Sequence, residues 1–193
     1  MSDETAQRLE EVRATEVEQR AEADDRKREC LTAVAGGIPV HLEEIAKRAA
    51  HGQPEVAKEL GSDGIKDLRR ELADRAVVIA SEVEAAVEQI EWPSPQSEFS
   101  KVEPRSIHSA LFKFLYGRPV DSLAAIFKRH GFSIHDDNAQ RAQGLIVPQS
   151  LYDEGDFAAV AEALNSLATA ERAVAAAKAA DDHDIVNSMW GDE

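Results

Sequence analysis

Apolar residues recur at helical spacing along most of this chain, most plainly between Ser62 and Trp92. There Ile65, Leu68, Leu72, Ala76, Ile79, Val83, Ala86 and Ile90 step by 3, 4, 4, 3, 4, 3 and 4. With 3.6 residues per turn this spacing is one stripe held for about seven turns. Charges fill the other faces, among them Asp67, Arg69, Arg70, Glu71, Asp74, Glu82 and Glu84. A sustained stripe of this kind is a coiled-coil-like seam for another helix, and its spacing is the same whether that helix belongs to this chain or to a partner. Leu72, Ile79 and Val83 are the residues expected to carry a partner contact. Around Val77, Val78 and Ile79 the apolar face widens, which predicts two neighbours at that level.

The same periodicity, punctuated by Pro and Gly, predicts the other elements. Residues 3–35 read as one helix, started by Ser2 or Asp3 and stopped by Gly36-Gly37. Its apolar positions are sparse, and Glu16 to Glu29 is almost all charge and Ala. So polar a helix bridges solvent, frays, or orders against another chain. A second helix opens at Pro39 and runs to Ala50, and a brief one runs from Pro54 to Gly61. Residues 93–104 hold Pro93, Pro95 and Pro104 with Ser94, Ser97 and Ser100, the composition of a linker and domain boundary. Beyond it come a compact apolar helix from Ser106 to Tyr116, a turn at Gly117-Arg118-Pro119, and a helix ending at Gly131. Phe132-Ser133-Ile134 and Leu145-Ile146-Val147-Pro148 are the strand-like runs, so residues 132–148 are either a small β-hairpin or enclose a short helix over 136–142. A last long helix starts at Gly155 or Asp156 and keeps its spacing to Lys178. The tail 181–193 is acidic with an apolar cluster: Ile185, Val186, Met189 and Trp190 lie at i, i+1, i+4 and i+5, and Ile185, Met189 and Trp190 are expected partner contacts.

The expected fold is therefore mainly α: a helical bundle with long antiparallel helices and at most one small β-hairpin near residues 132–148. The expected organisation is an N-terminal helical region 1–92, the linker 93–104, a C-terminal helical domain 105–180 and the tail 181–193.

Composition sharpens this picture. Of 193 residues 43% are hydrophobic, but Ala dominates and 5% are aromatic, so the core is thin and spread along helix seams. The net charge is −15, a field that repels phosphate backbones and favours solubility or a basic partner. A single cysteine, Cys30, excludes an internal disulfide and fits a reducing, cytoplasmic compartment. Cys30 sits in a charged helix with no His within ten residues, the setting of a passive cysteine. Met1–Thr5 has neither a basic n-region nor an apolar stretch, so no signal peptide is expected, and no run approaches the length of a membrane span.

Charge by segment is uneven. Residues 1–103 carry 24 acidic and 14 basic residues, 104–144 carry 3 and 6, and 145–193 carry 10 and 2. The basic stretch thus coincides with two helices joined by a Gly-containing turn, the parts of a winged helix if a hairpin follows. In that alternative Arg118, Lys128, Arg129 and Arg141 touch phosphates. The preferred reading is that the same bases pair with acidic faces of this chain. His130, His135, Asp136 and Asp137, with His183 and Asp184 farther off, lack the tight pairs of a zinc signature. Gly61-Ser62-Asp63-Gly64 lacks the Lys-Ser/Thr ending of a P-loop, and no Gly-x-Ser-x-Gly occurs. No catalytic residue, metal site or cofactor is therefore assigned. The reading reached is a non-catalytic helical protein that binds another protein or itself: an adaptor, regulatory subunit or inhibitor. A nucleic-acid-binding regulator using residues 104–148 and an enzyme with an unfamiliar site are the alternatives.

Overall fold

Helix ends in this chain are set by a few backbone and side-chain devices, best seen at residues 122–132. Ser122 is extended (φ −77°, ψ 158°), and its Oγ accepts a hydrogen bond from the Ala125 N–H, satisfying one of the unpaired donors of a helix start. The same helix stops at Gly131, whose φ of 84° favours glycine. There the Phe132 N–H donates to the Phe127 carbonyl at 3.0 Å and the Gly131 N–H to that of Lys128 at 3.0 Å. This is a Schellman closure. The apolar contact that accompanies it is Phe132 against Phe127, ring centroids 5.9 Å apart and edge to face.

The computed structural model describes the backbone of residues 3–116, 122–133 and 155–190, and the side chains of these except 3, 4, 116 and 183–190. The described residues form seven helices and no strand: α1 (Asp3–Val40), α2 (Leu42–Gly52), α3 (Pro54–Ser81), α4 (Val83–Gln89), α5 (Pro104–Tyr116), α6 (Leu123–Arg129) and α7 (Phe157–Trp190). The mainly α expectation holds. The expected hairpin at 132–148, with the alternative helix 136–142, lies outside the described residues apart from Phe132 and Ser133, which are not in a strand.

Three boundaries differ from the periodicity reading. Gly36-Gly37 does not end the first helix, because Val34, Ala35 and Ile38 are buried on one face and their packing carries the helix through the glycines to Val40. Two mid-helix glycines cost about 1 kcal/mol each relative to Ala, within reach of that burial. The long stripe 62–92 is not one straight helix. Glu82, at φ −113° and ψ 31°, separates α3 from α4 within it, while the kink in α3 at Gly61, φ 67°, falls where the brief helix from Pro54 is expected to close. Last, no break follows Lys178: α7 runs on to Trp190. Nucleation is the costly step of helix formation, and 157–190 contains no Gly or Pro to stop an established helix.

By internal contacts the chain falls into two compact units, each discontinuous in sequence. One comprises Met1–Arg26, Ser94–Glu103 and Ala158–Glu193; the other comprises Lys27–Pro93 and Pro104–Phe157. Residues 94–103, expected as a linker between sequential domains, thus group with the two chain ends. In the second unit, α2 packs on α3, α3 on α6 and α5 on α6. Its core is Leu31, Ile38, Ile45, Leu68, Leu72, Ile107, Leu111, Leu123 and Phe127. In the first unit, Val160, Ala163, Ala170 and Val174 of α7 are buried together with Ala23 and Val102. Arg20 there bridges Glu16 at 2.8 Å and Glu171 at 3.0 Å, joining α1 to α7. Among the described residues no helix is long and apolar enough to cross a membrane.

Candidate interaction surfaces

On α3 a period-3.6 stripe and its flank have different fates. Leu72 and Ile79 are 1% and 4% exposed, covered by the chain's own residues, so in this fold they serve as its core. Leu68 and Ala76 on the same stripe are buried too, and Val83 in α4 is half-buried. Val77 and Val78 point the other way: they are 63% and 38% exposed. The widening of the apolar face around these residues is therefore one neighbour within the chain and one side left open.

Next to Val78 lies a shallow depression of about 280 Å³ lined by Glu71, Asp74, Arg75, Val78, Ile126 and Arg129. This is at the lower edge of the roughly 300–1,000 Å³ of small-molecule sites. Glu71 is pinned at its edge, accepting from Arg129 Nη2 at 2.7 Å and facing His130 Nε2 at 3.1 Å. The Arg129 hydrogen bond, followed by the contact to His130, holds the Glu71 carboxyl below its usual range. Arg75 has its Nε shielded from solvent without a hydrogen-bond partner among the described residues.

The basic stretch is drawn into the fold in this way. Arg129 pairs with Glu71 of α3, and Lys113 pairs with Glu91 just beyond α4. Lys128 lies in the last turn of α6. Arg118 and Arg141 lie outside the described residues. So do His135, Asp136 and Asp137, while His130 is engaged with Glu71. Among the described residues no three His, Cys, Asp or Glu side chains cluster as metal ligands would. Ile185, Met189 and Trp190 stand on the last turns of α7, with side chains outside the described set.

Two buried groups are chemically quiet. Burial, and after it the charge of Asp156, push the Cys30 thiol up to about 12, leaving almost no thiolate near neutrality. His108 is buried with its ring 6.3 Å from that of Phe112 and 5.9 Å from that of Phe157, and burial lowers its pKa to about 4.

A further apolar feature had no signature in the periodicity. Phe99, inside the Pro/Ser-rich segment, is 89% exposed. The turn that presents it is ordered: the Ser97 N–H donates to Ser100 Oγ at 2.8 Å, and the Ser100 N–H and Oγ–H both donate to the Ser97 carbonyl, at 3.2 and 3.1 Å. An aromatic among Ser, Gln and Glu was the one sequence signal available. No protein-family model matches this chain, and neither a curated protein nor a solved structure is similar to it.

Proposed function

We propose that this chain is a non-catalytic helical protein whose work is to bind another protein. The observation that carries the reading is the double-sided α3: Leu72 and Ile79 fill the chain's own core while Val77 and Val78 stay open beside a shallow, charge-rimmed depression. Two adjacent exposed valines on an ordered helix keep apolar surface in water that a partner's apolar face would remove. A depression of about 280 Å³ beside these valines has room for a partner side chain.

Affinity capture with the full chain and with a Val77→Asp/Val78→Asp variant tests the reading. A protein retained by the wild type in stoichiometric amount and lost with the variant, at unchanged melting temperature, is the expected result. Equal retention by both would remove α3 from the interaction.

A further inference from the structure

The acidity of this protein is concentrated. The stretches Met1–Arg26, Ser94–Glu103 and Ala158–Glu193 that make up one unit carry 18 acidic and 7 basic residues, a net −11 of the chain's −15. Exposed Phe99 belongs to that unit. Phe112, Phe127, Phe132 and Phe157, by contrast, are buried.

Phe99 is held out by construction. Three hydrogen bonds between Ser97 and Ser100 close the turn that carries it. Three residues on, the Val102 backbone is fixed to the Asn165 side chain of α7 by hydrogen bonds of 2.8 and 3.0 Å. A side chain on so constrained a backbone loses little further freedom when it is bound, which is what makes an aromatic an effective anchor. Glu98 beside it is exposed and has no ion-pair partner among the described residues.

We infer that the Phe99 turn is a docking knob for a basic protein segment, one offering an apolar cup flanked by Lys or Arg. This inference rests on the reading of the chain as an interaction protein and adds a second contact and the charge of the partner. The charge selects that occupant. A second copy would bring −11 against −11, and nucleic acids or anionic lipid would be repelled in the same way. A Lys/Arg-bearing protein is steered in by the field and anchored by the ring.

The test uses the full chain as bait for random 16-residue peptides displayed on phage, with enriched peptides resynthesised and titrated by fluorescence anisotropy. The expected peptides combine Lys or Arg with aliphatic residues. Their affinity should fall at least tenfold (roughly) with Phe99→Ala, be retained with Phe99→Trp, and fall about tenfold between low and moderately high salt. Enrichment of peptides without basic residues overturns the inference, as does the absence of any enriched peptide. Binding that ignores Phe99→Ala but is lost with Val77→Asp/Val78→Asp also overturns it, while leaving the interaction reading at α3 standing. A dimer seen by sedimentation and dissolved by Phe99→Ala makes the occupant a second copy, again overturning it.

Discussion

Asn165 and Val102 exchange both hydrogen bonds that a neighbouring strand would make: the Val102 N–H donates to Asn165 Oδ1 at 2.8 Å, and Asn165 Nδ2 donates to the Val102 carbonyl at 3.0 Å. A side-chain amide carries one donor and one acceptor on the same carbon, so it matches a peptide group in both directions. Gln53 treats Ser133 alike, with two bonds of 2.8 Å. These two clamps order chain that has no regular structure of its own. Asn165→Asp keeps the shape and removes the donor, setting a carboxylate oxygen against the Val102 carbonyl. The expected cost is about 1–3 kcal/mol. Proteolysis should change with it. In the wild type, protease should cut near Phe99, within 96–99, and spare 101–103; in Asn165→Asp the cuts should spread through 101–103. Identical fragment patterns would show that the clamp does not order the segment.

Leu72→Ala and Ile79→Ala should each destabilise the isolated chain by about 2–5 kcal/mol, since both side chains are fully packed inside it. Because the cavity forms within one chain, the loss should not depend on protein concentration. Denaturant titrations at two concentrations a hundredfold apart check this. A loss that shrinks as protein concentration rises would place the stripe at an interface between chains.

Protonation of His108 should weaken the fold. Its folded pKa, about 4, lies below the ordinary value of 6.5, so the unfolded chain takes up the proton first. The stability contributed by the neutral ring is therefore complete above pH 6.5 and is lost as pH falls from there toward 4, at about 1.4 kcal/mol per pH unit. Carboxylates titrate in the same range. The relevant quantity is the difference between wild type and His108→Leu, which should move against the wild type as pH falls across that window. A difference that stays constant from pH 7 to 4 would mean the ring is solvated.

Thiol labelling reports the environment of Cys30. With its pKa near 12 against 9.0 for a free thiol, labelling of the folded protein by a disulfide reagent at mildly alkaline pH should be about a thousandfold slower than in denaturant. Equal rates would contradict its burial on α1 against the Gly155–Phe157 turn.

Much of this fold was legible in residue spacing because burial follows the 3.6 period: Leu68, Leu72, Ala76, Ile79, Ala86 and Ile90 are all buried as the stripe predicts. What was hidden depends on distant residues. Gly36-Gly37 reads as a stop until Ile38 is seen to be buried. Spacing suggests that the basic residues of α6 pair with acidic faces of the chain but does not name the partner: Arg129 is found on Glu71, 58 positions earlier. Phe99 reads as one more loop residue, because what fixes its presentation is Asn165, which binds Val102 across 63 positions. Local propensity carries no information about such pairs.

Photo-crosslinking tests the central claim most directly. A photoreactive leucine analogue is placed singly at positions 72, 77, 78 and 79 of the full chain, and the cells producing it are irradiated. Positions 77 and 78 should give adducts to a second protein, while 72 and 79, buried in the core, should give crosslinks within the chain alone. Adducts to another protein from 72 and 79, or none from 77 and 78, would contradict the account.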